Sequence, residues 1–162
     1  MQLRKLQKKD APLMLEWMHD ADVVADLKAN FAAKTLADCE NFVAAAQDSS
    51  QDIHFAIADE QDTYMGTVSL KHCHKTWAEF AIVVRKAAMG RGLSRDAMAE
   101  LLRYGVEKLG LSQIYWCVSR ENTRAVRFYD KNGYRRISQI PQELQDDYLE
   151  EGERLFWYSY PG

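Results

Sequence analysis

The apolar run Phe80 to Val84 leads into Arg85-Lys86-Ala87-Ala88-Met89-Gly90-Arg91-Gly92-Leu93-Ser94, after which Ala97, Met98, Leu101, Leu102 and Val106 recur at helical spacing. Taken with the order of strand and helix patterns along the rest of the chain, this strand, turn and helix belong to a mixed sheet with helices on its faces. The turn also has a chemical reading. The first turn of a helix has backbone N–H groups without partners and a partial positive charge, and anions such as phosphate bind there. Gly90 and Gly92 have no Cβ, so the backbone can take positive φ and approach a ligand closely; Arg91 adds a full charge, and Ser94 is placed to cap the helix.

Along the rest of the chain, Leu3 and Leu6 begin a short strand. Asp10 as N-cap and Pro12 in the first turn then open a helix carrying Leu13, Leu15, Trp17 and Met18. Asp20 to Lys34 is irregular, a loop or a broken helix. Thr35 and Asp38 form a capping box for a second helix that reaches about Gln47. From Ile53 the period changes to two: Ile53, Phe55 and Ile57 alternate, Asp59 to Asp62 turns, and Tyr64 to His72 returns as a hairpin partner. Trp77 to Val84 is a third strand, its Ala81-Ile82-Val83-Val84 end expected to be covered on both faces. Gly110 ends the next helix; Ile114 to Val118 is a strand; Asn122 caps a short helix that Gly133 stops. Tyr134 to Ile140 and Leu155 to Tyr160 are the last strands, joined by an acidic connection, Pro141 to Glu153, that contains Tyr148.

The 162 residues, 47% hydrophobic and 28% charged, suit one domain, 1–162, with one core. No apolar run has membrane-spanning length, and the N-terminus has no apolar segment of the secretory type, so a cytoplasmic protein is expected. The net charge of −3 argues against a nucleic-acid partner. Cys39, Cys73 and Cys117 have neither zinc nor redox spacing and are expected as reduced thiols. His72 and His74 would share one strand face with Cys73 opposite, but two imidazoles are too few for a metal, and His19 and His54 have no spacing to supply a third. Trp17, Trp77, Trp116 and Trp157 are expected in the core or along a cleft wall.

The glycine turn, the strand before it, and Asn-Thr-Arg-Ala-Val-Arg-Phe-Tyr-Asp-Lys-Asn-Gly-Tyr at 122 to 134 together resemble the GCN5-related N-acetyltransferase (GNAT) family, closely over Ala78 to Arg135. Met89 and Ser94 depart from that family's turn, which carries Gln or Arg at the first of these positions and a small residue at the second. Residues 78 to 80 and the tail from Gly152 are similar to the branch of ribosomal-protein N-terminal, spermidine and amino-sugar acetyltransferases. The resemblance implies a mixed, mostly antiparallel twisted sheet of about seven strands, helices on both faces, and a splay at the cofactor cleft, opened by a bulge.

The resemblance further implies acetyl-CoA as co-substrate, with no metal. Its pyrophosphate would lie on the amides of Met89, Gly90, Arg91, Gly92, Leu93 and Ser94, with Arg95 near; its arm would lie along Ile82, Val83 and Val84, with a hydrogen bond to Asn122, which also suits an N-cap. Tyr129 matches the proton donor to the departing thiolate, a phenol protonated at neutral pH. Glu79 is the candidate base for the incoming amine, with Glu121 or a water as alternatives. The expected reaction is direct attack of a primary amine, of an amino sugar or polyamine, on the thioester. The alternatives are a protein N-terminal acetyltransferase and a non-catalytic acyl-CoA sensor. Acceptor residues are expected from the first two helices and the connection near Tyr148, and the aromatic-rich C-terminal strands are the expected surface of a homodimer.

Overall fold

The computed structural model describes residues 1–161. The strands are β1 (Gln2–Lys5), β2 (Ile53–Ala58), β3 (Tyr64–Lys71), β4 (Trp77–Val84), β5 (Gln113–Ser119), β6 (Arg135–Ile137) and β7 (Leu155–Tyr160). The helices are α1 (Ala11–Met18), α2 (Ala21–Val24), α3 (Leu36–Ala46), α4 (Leu93–Glu107), α5 (Thr123–Lys131) and α6 (Gln142–Asp147). The strands form one sheet in the order β1-β2-β3-β4-β5-β7-β6. Every neighbouring pair is antiparallel except β4 with β5, which is parallel.

Alternation along the strands divides the apolar residues between two layers. Ile57, Val68, Leu70, Phe80, Ile114 and Trp116 pack with Ala97, Met98, Leu101 and Leu102 of α4 and Tyr129 of α5. Ala56 and Tyr64 pack on the opposite face with Met14 and Trp17 of α1 and Cys39 and Val43 of α3. Trp17 Nε1 donates to the Tyr64 hydroxyl, which meets Thr67 Oγ1 at 2.6 Å, so both aromatic polar atoms are satisfied within the second layer.

The capping box at Thr35 and Asp38 forms as its spacing predicts, and Asn122 Oδ1 accepts from the Ala125 amide at the start of α5. Asp10 differs. It precedes α1 but makes no side-chain cap; its buried carboxylate takes two N–H bonds from Arg4, at 2.8 and 2.9 Å, and one from the Gln7 amide. These bonds raise the Arg4 pKa against the opposing effect of burial. The irregular stretch is a broken helix, α2 followed by a single turn at Phe31–Ala33.

Three strand expectations change. β6 is only three residues long, so the predicted strand to Ile140 stops early. The end of β4 from Ala81 to Val84 is half-buried rather than covered on both faces, because its neighbour β5 has moved away there. The aromatics of β7 do not form an exposed apolar surface: Tyr158 is buried against Trp116, and Phe156 lies under the guanidinium groups of Arg120 and Arg136.

Candidate active site: a fork in the sheet

β4 and β5 pair only at Trp77↔Gln113, Ala78↔Ile114 and Glu79↔Tyr115. Beyond Glu79 the two strands diverge, and the edge of β4 from Phe80 to Val84 has no strand partner on that side. No bulge in β4 is responsible. Its register on β3 runs unbroken from Lys71↔Glu79 to Gly66↔Val84, and the hairpin's one shift lies at Ile57/Ala58. The expected splay is present and the expected bulge is not.

The open end of the fork leads to the glycine turn. Gly90 and Gly92 have φ of +80° and +75°, the left-handed region that side chains avoid. Gly92 is itself the residue before α4, so Ser94 lies inside the first turn rather than capping it. The amides of Met89 and Arg91 are engaged by the carbonyls of Lys86 and Ala88. Those of Gly90, Gly92, Leu93 and Ser94 have no backbone partner among the described residues, so four of the six predicted amides are available to a ligand.

The cations differ from expectation as well. Arg91 points to the β2–β3 turn, 3.8 Å from Asp59 and 3.7 Å from Glu60. Arg95 lies over the turn instead: a Cβ on Gly92 would come 3.3 Å from its Nη2. Arg124, in the first turn of α5, reaches across to Met89 Sδ at 2.8 Å. No local pattern in the sequence shows this crossing, which joins residues 35 positions apart.

Tyr129 and Glu79 lie on opposite faces of the sheet at the fork. Tyr129 belongs to the α4–α5 layer, its ring packed against Trp116, Tyr134 and Tyr158. Burial, and then the neighbouring Cys117, push its phenol above the usual range, so it is protonated at any physiological pH. Its hydroxyl has no hydrogen bond among the described residues and is free to donate. Asn122, seven residues earlier, places α5 and thus Tyr129 at this height.

Glu79 is 3% exposed and faces the other way. Tyr148 Oη donates to its Oε2 at 2.5 Å, and His72 Nε2 is 4.0 Å from its Oε1. Burial raises the Tyr148 pKa, as do the neighbouring Cys117 and Glu79. Cys117, on the Glu79 face of β5, has its thiol pushed up to about 12 by burial and by Glu79, so it is a neutral wall of the fork rather than a thiolate. Glu121 is exposed on the turn before α5.

The two histidines do not share a strand face. β3 ends at Lys71, and His72 takes φ of +53° in a turn. His72 then faces Glu79 and, at 3.8 Å, Asp147, while His74 stacks on Trp77 and meets Glu143 at 2.8 Å. Both reach α6, which the sequence showed only as an acidic connection. No group of three or more potential metal ligands occurs among the described residues, and no helix there is long and apolar enough to cross a membrane.

A parallel pair that forks beside a glycine turn with free amides, with a buried tyrosine on one face and a buried glutamate on the other, is the arrangement of an acetyltransferase (GNAT) domain. A profile of the acetyltransferase (GNAT) domain matches residues 1–135, and the chain belongs to that family. The spermidine N(1)-acetyltransferase of Escherichia coli (strain K12) is 30% identical over 86 residues, 53% of this chain and 44% of that one. That of Vibrio cholerae is 30% identical over 93 residues, 56% and 53% of the two chains. The match thus spans about half the length of these curated relatives. Among solved structures, spermidine N-acetyltransferase from Vibrio cholerae in complex with CoA and spermine superposes with a TM-score of 0.76 at 20% identity, over 98% of this chain and 92% of that one. An acetyltransferase of the GNAT family from Bacillus anthracis gives 0.75 at 23%, over 97% and 92%. At these identities the likeness is one of fold.

Proposed function

We propose that this protein transfers an acetyl group from acetyl-CoA to a primary amine of a small cationic acceptor, with a polyamine favoured over an amino sugar. The observation that carries this reading is the fork itself, with Tyr129 on one face and the Glu79–Tyr148 pair on the other. The residues fit the co-substrate: free amides at Gly90, Gly92, Leu93 and Ser94 suit its phosphates, and the unpaired edge of β4 at Ile82 to Val84 suits an extended, amide-containing arm. Asn122 would contribute through whatever hydrogen-bonding capacity its capping bond to Ala125 leaves unused. When bound, acetyl-CoA supplies an activated acyl carbon and a thiolate leaving group.

On the acceptor side, Glu79 accepts a proton from the incoming ammonium, directly or through a water, and Tyr148 holds that carboxylate in place. On the donor side, Tyr129 gives its phenolic proton to the departing sulfur. The abundance of carboxylates in α6 and the turn after it, including Glu143, Asp147 and Glu151, favours a cationic acceptor, as does the identity with the spermidine enzymes.

Incubation with acetyl-CoA and a panel of spermidine, an amino sugar and a peptide N-terminus, read by thiol release, tests the proposal. Release with spermidine well above the others is expected. Release only with the peptide would favour the N-terminal activity. Binding of acetyl-CoA with no release from any amine would favour a sensor, a possibility kept open by Met89 and Ser94 in the turn.

A further inference from the structure

Lys28 lies in the segment between α2 and α3, and three groups from the acidic connection hold its ammonium. Nζ donates to the Asp147 carbonyl at 2.6 Å, stands 4.6 Å over the centre of the Tyr148 ring, and is 3.8 Å from Glu151 Oε1. A carbonyl, a π face and a carboxylate together make a cradle for a primary ammonium.

The cradle has spare capacity. Glu151 Oε2 is closed off from solvent and receives no hydrogen bond among the described residues. A buried carboxylate oxygen left in that state is costly, and a further N–H donor would recover the cost. Lys28 holds its place weakly, because its side chain is 55% exposed and an exposed ion pair contributes little.

Tyr148 connects this cradle to the chemistry. Its ring face lies under the ammonium and its hydroxyl donates to Glu79. An ammonium in the cradle and an amine at Glu79 are therefore separated by the Tyr148 ring and its hydroxyl.

We propose that the Asp147 carbonyl, the Tyr148 ring and Glu151 form a second ammonium site for the acceptor, which Lys28 occupies as a built-in competitor. The acceptor is then a diamine or polyamine: one nitrogen reacts at Glu79 while the next replaces Lys28. This rests on the acetyl-transfer reading above and adds how that site selects chain length and charge.

The test compares 1,4-diaminobutane with 1-aminobutane, which lacks only the second ammonium, in thiol-release kinetics. The wild-type protein prefers the diamine by about tenfold or more in kcat/KM. Glu151→Gln lowers that preference about tenfold through KM for the diamine. Lys28→Ala raises it a few-fold by removing the competitor, while Lys28→Arg, which keeps the charge, does not. Equal use of the two amines by the wild-type protein, or a Glu151→Gln loss shared equally by both, overturns the proposal. If no amine releases thiol, the acetyl-transfer reading fails, and calorimetric titration with 1,4-diaminobutane judges the cradle separately. Heats that vanish in Glu151→Gln uphold it, and their absence in the wild-type protein overturns it.

Discussion

Tyr148 Oη donates to Glu79 Oε2 across 2.5 Å, joining a residue of the acidic connection to a buried carboxylate 69 positions earlier. The bond ties the two residues on this face of the fork into a unit. Glu79→Gln is expected to lower kcat/KM for the amine by about a hundredfold, in the usual range for loss of a general base. Tyr148→Phe should cost about tenfold, and the double variant no more than Glu79→Gln alone, since contacting residues are coupled. Additive losses in this cycle would show that Tyr148 does not act through Glu79.

Tyr129→Phe should lower kcat by about a hundredfold or more with little change in the acetyl-CoA dissociation constant, because only the proton donated in the transition state is removed. The ring packing on Trp116 and Tyr158 is kept, so the melting temperature serves as control. Unchanged turnover would remove Tyr129 from the donor role.

Gly92→Ala places a side chain at φ of +75°, with its Cβ 3.3 Å from Arg95 Nη2. The left-handed conformation costs about 1 to 2 kcal/mol for an L-residue. Relaxation of that strain would rotate the Leu93 and Ser94 amides, so acetyl-CoA binding should weaken about tenfold by calorimetry. An unchanged dissociation constant would move the phosphates off this turn.

His54, on β2 opposite Ser69 of β3, has its Nδ1 2.6 Å from Ser69 Oγ, and burial lowers its pKa below the ordinary imidazole value of 6.5. The unfolded chain therefore binds a proton that the folded one refuses, so the stability is present above pH 6.5 and is lost as pH falls through the folded value. Urea midpoints should drop between pH 7.5 and 5 in the wild-type protein, and less steeply in His54→Gln.

Asp10→Ala removes the carboxylate that holds Arg4 and the Gln7 amide, and leaves Arg4 with Asp62 at the surface. Breaking one side of such a buried pair should cost about 3 kcal/mol, read as a lower denaturant midpoint without change in the slope.

What the sequence disclosed depended on how local each signal was. Thr35 with Asp38, Asn122 before α5, and the change of period at Ile53 are contained within a few residues, and each formed as its spacing predicts. The left-handed Gly90 and Gly92 were legible for the same reason. The half-exposed end of β4 was not, because its apolar run reports composition while its cover depends on where β5 goes. His72 was misplaced for a different reason: alternation cannot show that a strand has stopped one residue earlier. Arg124 against Met89, Lys28 against Asp147 and Tyr148 against Glu79 join residues 35, 119 and 69 positions apart, beyond any local pattern.

The three pairs Trp77↔Gln113, Ala78↔Ile114 and Glu79↔Tyr115 also act as a hinge between two leaves, β1 to β4 on one side and β5, β7 and β6 on the other. A lever fixed at its base magnifies small changes there. Ala78 and Ile114 are fully buried at that base, and added volume at either tilts one leaf against the other. The aperture proposed for the acyl donor is thus set at its base by two apolar side chains, and its width can be tuned without altering Tyr129 or Glu79.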